Sequence, residues 1–224
     1  MSPSGHVDLI RLRNAPYAET WRWQQARAVA VADGKAPETL VLLEHPPVYT
    51  MGRRSDPAHL LASEAELRAR GAEVFWIDRG GDATWHGPGQ LVGYPILNLA
   101  QRGRDLHVYV FELEQLLIDV AATYGIIAER ATERTGIWVG DEKVAAIGIK
   151  VQRWVSYHGF ALNVDPELSW FEQIVPCGLH GYGVTSIARL LGRPVDFEEV
   201  ADRAADAFRA HFGKTAPISA SVFT

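Results

Sequence analysis

The 224-residue sequence predicts a single α/β or α+β domain over residues 1–224, with helices packed on a mixed, partly antiparallel sheet. Hydrophobic residues make up 47% of the chain, which is enough for a sizeable core. Strand-like segments are concentrated in the middle, with helical segments before and after them. The turn Gly140-Asp141-Glu142 joins two strand-like segments as a hairpin does, so at least one strand pair is antiparallel.

The first third of the chain predicts two strands and two helices, each bounded by a local signal. Pro16 opens the first helix and Gly34 stops it. Pro46 and Pro47 end the second strand, because proline cannot donate to a strand ladder. A capping box over residues 63–66 begins the second helix. The predicted ranges are strand 7–13, helix 17–33, strand 39–43 and helix 63–71.

The rest of the chain predicts a β-rich middle and a helical end. Asp105 is a suitable N-cap for a long helix, and Gly192 and Gly213 are suitable stops for the last two helices. The predicted strands are 73–77, 90–99, 135–139, 143–151 and 156–164, and the predicted helices are 105–125, 185–192 and 196–213. The apolar face expected for the long helix consists of Val108, Phe111, Leu116, Val120 and Tyr124.

Composition and motifs exclude several classes of protein. A net charge of −5 argues against a dedicated nucleic-acid binder. A single cysteine excludes an intramolecular disulfide, and no signal segment or membrane span is evident, so we expect a cytoplasmic protein. The histidines have no metal-ligand spacing, and no phosphate loop or dinucleotide fingerprint occurs, so we expect no metal and no cofactor.

Three segments concentrate glycine, histidine and small residues where a core would prefer bulk. Residues 79–90 contain four glycines, which suit either a close approach to a ligand or a structural hairpin. The small residues of 143–151, continued by 156–164, suit either an apolar groove or close packing against a helix. Cys177 lies between a proline and a glycine, where it is either an exposed nucleophile or an inert buried thiol.

Together these segments resemble the lipoyl(octanoyl) transferase family, the octanoyl-carrier-protein:protein N-octanoyltransferases. The resemblance covers most of the chain, and the segments follow one another in the family's order. The glycine-rich segment is similar to the family motif R-G-G-x-x-T-[YW]-H-G-P-G-Q. The matching segments are 43–50, 79–90, 133–139, 143–148, 158–164 and 174–179.

This resemblance implies roles for particular residues. Cys177 is the expected acyl-thioester nucleophile and Lys143 its partner, whose ammonium would favour the thiolate and then move protons. Trp85 and Phe160 replace the tyrosine and leucine that are commonest in the family, and both lie in segments that line the substrate in the family. The implied acyl site consists of Arg79, Gly80, Gly81, Asp82, Ala83, Thr84, Trp85, His86, Ala146, Ile147, Gly148, Gly159, Phe160 and Ala161.

The resemblance also implies the fold of biotin and lipoate protein ligases and the first step of endogenous protein lipoylation. An octanoyl group passes from octanoyl-acyl carrier protein, through a cysteine thioester, to a lysine of an apo lipoyl domain. The implied acceptors are apo lipoyl domains of 2-oxo acid dehydrogenase complexes and the glycine cleavage H protein, and we expect the enzyme to be a monomer. Three alternatives remain: an ATP-dependent lipoate or biotin protein ligase, a non-catalytic acyl-binding module, and a cysteine hydrolase that pairs Cys177 with His158 or His180.

Overall fold

The computed structural model describes residues 6–132, 134–175, 182–213 and 215–217. The strands in these ranges are β1 Val7–Leu12, β2 Thr39–Leu43, β3 Val48–Met51, β4 Glu73–Trp76, β5 Thr84–His86, β6 Gln90–Ile96, β7 Glu129–Ala131, β8 Arg134–Val139, β9 Glu142–Gln152, β10 Val155–Asn163, β11 Gly183–Val184 and β12 Thr215–Pro217. The α-helices are α1 Tyr17–Ala32, α2 Glu64–Ala69, α3 Leu106–Ala122, α4 Ile187–Leu191 and α5 Phe197–Phe212.

A large mixed sheet forms the centre of the described chain. Its strand order is β12-β1-β2-β6-β10-β9-β8-β7, and β11 pairs with β9 off this path. The pairs β12–β1, β1–β2 and β11–β9 are parallel, and the others are antiparallel. This arrangement confirms the predicted mixed sheet, including the hairpin between β8 and β9.

The large sheet is buried on both faces at β2. Leu40 and Leu42 of β2 face the core that contains α3 and α5, whereas Val41 and Leu43 face the opposite side. Helix α1 covers that opposite side, where its Ala28 packs near β6 and β10. A strand buried on both sides needs apolar residues at successive positions, which explains the uninterrupted apolar sequence of β2.

Helix α3 buries a different stripe from the one expected. Leu116 and Val120 are buried as predicted, but Val108 and Phe111 are 48% and 54% exposed. The buried stripe instead starts at Tyr109, which is seven residues before Leu116 and therefore lies on the same helical face. Phe111 is covered from outside by a guanidinium group, that of an arginine on β7.

A second, three-stranded sheet has the order β4-β3-β5, and the sequence analysis identified only β4 among its strands. Its core includes Tyr49, Met51, Trp85 and Phe171. The remaining predicted elements agree with the observed bounds to within about three residues, the usual scatter at element ends. Among the described helices, none is long and apolar enough to cross a membrane.

Candidate active site

A cavity of about 820 Å³ is bounded by β9 and β10 of the large sheet and by the glycine-rich loop that leads into β5. Lys143 lines it, as does every residue of the expected acyl site except Trp85. The expected residues found in its wall are Arg79, Gly80, Gly81, Asp82, Ala83, Thr84, His86, Ala146, Ile147, Gly148, Gly159, Phe160 and Ala161.

Trp85 departs from the expectation because its indole lies behind the cavity wall. Successive side chains of a strand point to opposite faces, so Thr84 and His86 reach the cavity while Trp85 points into the core of the second sheet. The indole is fully buried and stacks on Trp170, with ring centroids 5.9 Å apart. A tryptophan at this position therefore fills the core and does not contribute to the surface of the cavity.

The glycine-rich loop is held by hydrogen bonds and by a close backbone crossing. The guanidinium group of buried Arg79 donates to the carbonyl oxygen of Thr50 at 2.6 Å and to that of Gly80 at 3.0 Å. Gly52 crosses this loop so closely that an added Cβ would lie 2.5 Å from the carbonyl oxygen of Gly81. The loop is therefore packed against its neighbours, and glycine is needed where the two backbone segments approach each other closely.

Small residues of β9 and β10 allow close packing of the backbone and also line the cavity. A Cβ added at Gly148 would lie 3.0 Å from Cδ of Arg79, and one added at Gly159 would lie 2.1 Å from the carbonyl oxygen of Gly93. Both glycines also line the cavity. Ala145 points to the other side of β9 and belongs to the main core.

Lys143 is held at the point where β9 changes its neighbour. Residues 145–152 of β9 pair with β10, whereas Lys143 pairs with Val184 of β11. The side chain is 7% exposed, and its Nζ lies 4.8 Å from the centroid of the Trp138 ring. A cation over an aromatic face in a buried setting is attracted by the ring quadrupole, which helps to hold the ammonium in place.

Cys177 lies outside the described residues, as does His180. The structure describes the chain up to Val175, whose N–H donates to the carbonyl oxygen of His59 at 2.9 Å. It describes the chain again from residue 182, and Val184 then lines the cavity. Val175 and Val184, which are described residues on either side of Cys177, are thus close to the cavity wall.

Histidines cluster on the side of the cavity near α1. His86 is buried, and its Nδ1 lies 2.7 Å from Oε1 of Gln90. Burial lowers the pKa of His86 to about 3, so its ring is neutral near pH 7. His45 lies 6.0 Å from it between ring centroids and binds the carbonyl oxygen of Ala15 and the hydroxyl of Tyr94. Burial lowers the pKa of His45 to about 4.

His158 occupies a strained position in the same cluster. Its φ is +56°, a left-handed value that is uncommon for a residue with a side chain. Its Nε2 lies 3.1 Å from Oδ1 of Asp78, and this hydrogen bond is the main cause that holds the pKa of Asp78 well below its usual range. Strain of this kind persists where surrounding contacts enforce it, and it is concentrated at functional sites.

The cavity wall is strongly cationic although the whole protein is acidic. Asp82 is the only carboxylate in the described part of this wall, and its Oδ2 lies 2.7 Å from Nδ1 of His59. The wall contains five cationic side chains, those of Arg53, Arg54, Arg79, Arg134 and Lys143. Such a wall favours ligands with negative charge at the mouth or developing negative charge inside.

Sequence reasoning missed several residues of the wall. Arg53 and Arg54 belong to a basic pair that usually indicates a solvated surface, and Tyr17 belongs to a helix with no recognisable functional signal. Gln90 is the last residue of the matching segment 79–90, and Asn163 is the last but one of the matching segment 158–164. Their places in these segments could therefore have identified them as residues of the site.

Comparison with known proteins gives concordant results. A family profile described as lipoyl protein ligase A/B catalytic domain matches residues 16–209. A protein of Rubrobacter xylanophilus named octanoyltransferase is 50% identical over 210 residues, which cover 92% of this chain and 94% of that protein. Another octanoyltransferase, from Geobacter sulfurreducens, is 51% identical over 86% of this chain and 79% of its own length.

Among solved structures, similarity extends to proteins of much lower sequence identity and concerns the fold alone. A bipartite lipoate protein ligase of Thermoplasma acidophilum superposes with a TM-score of 0.67 at 13% identity, covering 97% of this chain and 89% of that one. A biotin protein ligase of Aquifex aeolicus gives a TM-score of 0.51 at 11% identity over 92% and 69% of the two chains. The expected ligase-like fold is confirmed.

Proposed function

The chain belongs to the family of lipoyl protein ligase A/B catalytic domains, and we propose that it carries an octanoyl group on Cys177 between a carrier-protein donor and a lysine acceptor. Its relatives of about 50% identity are octanoyltransferases over most of both chains, so this chain is an acyltransferase that moves an octanoyl group in protein lipoylation. The donor, the acceptors and the covalent step are the parts that we propose.

One observation carries the covalent mechanism. Buried Lys143 and Val184 of β11 line the cavity, and the N–H of Val175 donates to the carbonyl oxygen of His59, another residue of that wall. A thiol needs a nearby cation or base to react as a thiolate, and Lys143 supplies the cation. This pairing supports Cys177 as the nucleophile.

The proposed reaction has two balanced steps. The Cys177 thiolate attacks the thioester of octanoyl-acyl carrier protein, a new carbon–sulfur bond forms, the old one breaks, and the Lys143 ammonium gives its proton to the departing pantetheine thiolate. The target amine then attacks the Cys177 thioester, a carbon–nitrogen bond forms, and the carbon–sulfur bond breaks. The proton lost by the amine returns to Lys143, which restores the ion pair.

The energetics of these steps favour transfer without a nucleotide. The first step exchanges one thioester for another, and the second converts a thioester to an amide, which is downhill. The ligase alternative is not better supported, because the two solved ligases compared above are 13% and 11% identical to this chain, whereas the two octanoyltransferases are 50% and 51% identical. We therefore expect the complete reaction to proceed in ATP-free buffer.

We also propose the partners and the setting of the reaction. Octanoyl-acyl carrier protein is the donor, and apo lipoyl domains of 2-oxo acid dehydrogenase complexes and the glycine cleavage H protein are the acceptors. A thiol nucleophile suits the reducing cytoplasm. We propose that residues 1–224 act as a single-domain monomer, which sedimentation at working concentration would test.

Intact mass spectrometry tests the covalent mechanism. With octanoyl-acyl carrier protein alone and no nucleotide, the wild-type chain should gain one octanoyl group that hydroxylamine removes, since it is a thioester. Adding an apo lipoyl domain should discharge this group onto one lysine of the domain.

The cysteine variants decide between the proposed function and its alternatives. Cys177→Ala should form no adduct and transfer nothing, and Cys177→Ser should be severely slowed, because a hydroxyl is much harder to ionise. Substantial transfer by the alanine variant would contradict the covalent step. A strict need for ATP would favour a ligase, binding without an adduct would favour an acyl-binding module, and release of free octanoate would favour a hydrolase.

A further inference from the structure

Four consecutive hydrogen bonds connect His86 to the backbone of Lys143. His86 Nδ1 lies 2.7 Å from Gln90 Oε1, and Gln90 Nε2 donates to Asn163 Oδ1 at 2.8 Å. Asn163 Nδ2 donates to the carbonyl oxygen of Thr185 at 2.9 Å. The N–H of Thr185 donates in turn to the carbonyl oxygen of Lys143 at 3.0 Å.

The polarity of this chain is fixed at one end by a backbone carbonyl. The Thr185 carbonyl can only accept, so Asn163 must present its NH₂ to it and its oxygen to Gln90. Gln90 must then present its NH₂ to Asn163 and its oxygen to His86. An amide oxygen only accepts, so the proton of the imidazole is on Nδ1 and the lone pair is on Nε2.

The sheet provides a rigid support for this chain. Gln90 and Asn163 are directly opposed across the antiparallel pair β6–β10, so their side chains are neighbours on one face. Both are buried, with exposed fractions of 2% and 3%. Neither amide has room to rotate without leaving a buried polar group unsatisfied, which is costly.

The opposite ring nitrogen, Nε2 of His86, belongs to a side chain in the cavity wall. Within the described ranges, no hydrogen-bond partner is found for this nitrogen. The geometry therefore presents a lone pair, and not an N–H, to a bound ligand. Such a nitrogen cannot donate to an oxyanion, but it does accept from an N–H.

Only the second of the two proposed steps has a nucleophile that carries an N–H. Acylation of Cys177 involves a thiolate and a thioester, and neither has a nitrogen at the reacting centre. The second step brings the amine of the target lysine. An acceptor at the cavity wall can hold one N–H of this amine while Lys143 takes the proton that is lost.

We propose that Gln90 and Asn163 are positioning residues that hold His86 as its Nδ1–H tautomer, so that Nε2 accepts a hydrogen bond from the attacking amine of the target lysine. This inference rests on the acyl transfer proposed above. It assigns the two amides to the second step alone and excludes His86 from stabilising the oxyanion.

The electrostatic surroundings of His86 agree with a neutral acceptor. Burial is the main cause of its lowered pKa, and positive charge on its neighbours adds to the effect. Among the described residues, the titratable or charged groups around the ring are Tyr17, His45, Arg79 and His158. A carboxylate placed against Nδ1 would oppose this effect, because an anion stabilises the imidazolium.

Separate measurement of the two half-reactions tests the inference. Gln90→Leu removes both hydrogen bonds of the amide, so discharge of the octanoyl adduct to an apo lipoyl domain should slow by about 10- to 100-fold, as expected for a misplaced reacting group. Acylation by octanoyl-acyl carrier protein should stay near the wild-type rate. Equal slowing of both half-reactions, or no slowing of discharge, would overturn the proposal.

A near-isosteric variant adds a readout that a purely structural role would not change. Gln90→Glu still offers an oxygen to Nδ1–H, but its charge raises the pKa of His86. The rate of discharge should then depend on pH: it should be low where Nε2 is protonated and should rise with pH, which adds an acidic limb to the pH–rate profile. The pH–rate profile of acylation should gain no such limb. Gln101→Glu makes the same change at an exposed position and should add no limb.

The outcomes separate this inference from the proposed function. If Gln90→Leu does not fold, as judged by circular dichroism, Gln90→Glu still tests the inference. A discharge rate that shows no new acidic limb in Gln90→Glu would by itself refute the role of Gln90. A wild-type chain that forms no octanoyl adduct would instead refute the transfer on which the inference rests.

Discussion

At the scale of single residues, Lys143 combines a buried side chain with an aromatic neighbour and a fixed backbone. Its carbonyl accepts from Thr185, and its strand partner is Val184 of β11. An amine in such a setting meets its reaction partners in one geometry, whereas an exposed lysine samples many. The same side chain gives and takes a proton in the two proposed steps.

We predict that Lys143→Ala lowers turnover by about 10²- to 10⁴-fold, the range typical of positioned proton transfer. Donor affinity should change much less, because the apolar residues of the wall remain. Lys143→Arg should rescue little, since a guanidinium keeps the charge but does not release a proton near neutral pH. Steady-state kinetics with a donor-binding measurement would check this, and near-normal turnover of the alanine variant would assign the proton transfers elsewhere.

His45 predicts a loss of stability in acid. Its pKa is lowered to about 4 in the folded protein, against about 6.5 in an unfolded chain. Between these values the unfolded chain binds more protons, so the free energy of unfolding should fall as pH falls from about 6.5 to about 4. The loss is of the order of 1.4 kcal/mol for each unit of difference in pKa.

Urea denaturation between pH 7 and pH 4 measures this dependence. His45→Gln should lower the slope of the unfolding free energy against pH, whereas His107→Gln should leave it unchanged, because His107 is exposed in the folded chain. The pKa of His86 is lowered to about 3, so His86 adds to the same slope from about pH 6.5 downwards, and some dependence should remain in the variant. An unchanged slope in His45→Gln would contradict the assignment.

At the scale of secondary structure, small residues of β9 form part of the cavity wall. Ala146 and Gly148 line it, while Ala145 points away into the core. Each CH₂ buried in an apolar groove adds roughly 0.8 kcal/mol until the groove ends. We therefore expect an optimum near eight carbons for the wild-type chain.

We predict that Ala146→Leu shifts the preferred acyl chain to fewer carbons. Rates should be compared for hexanoyl, octanoyl and decanoyl carrier donors. The variant should lose activity most with decanoyl and least with hexanoyl, because the new side chain occupies the groove. Ala122→Leu, at an exposed position of α3, is the matched control and should keep the wild-type order. A rate that rises steadily to palmitoyl in the wild type would contradict a closed groove.

Local signals predicted the ends of helices and strands well, because capping and chain termination depend on residues that are close in sequence. The capping box at Ser63 and Glu66 forms as expected, and Gly192 closes α4 in the left-handed conformation. Contacts between distant segments could not be predicted in this way. The face that Trp85 takes depends on Trp170, and the approach of Tyr17 to His86 joins helix α1 to the cavity.

The stripe buried by α3 is another example of this limit. Apolar residues occur all round the first turns of the helix, so the pattern alone did not select a face. Packing selected Tyr109, which contacts Phe212 of α5 with ring centroids 5.9 Å apart. The candidate site was predictable to a greater extent, because its segments carry recognisable motifs.

At the scale of the whole molecule, charge is distributed unevenly. The net charge is −5, yet Arg53 and Arg54 are exposed and belong to the cationic wall of the cavity. The proposed donor carries its acyl group on a phosphopantetheine arm, which contains a phosphodiester. Two exposed guanidinium groups suit such an anion.

We predict that Arg53→Glu and Arg54→Glu raise the KM for octanoyl-acyl carrier protein and change kcat little, since charges at the rim act on encounter. The effect should shrink as salt rises, because exposed charges are screened. Arg22→Glu makes the same charge change at an exposed position of α1 and should leave the KM near the wild-type value. Equal increases in all three variants would indicate a general effect of net charge and refute a specific role for the rim.

The division of the cavity wall between two sheets has a consequence for how the protein acquires activity. Strands β8, β9 and β10 are consecutive and antiparallel, so this part of the wall needs only short-range contacts. The glycine-rich loop belongs with the other sheet, and Tyr17 comes from the first helix. Contacts of long sequence separation form late in folding. During refolding, catalytic activity should therefore return after the recovery of far-ultraviolet circular dichroism.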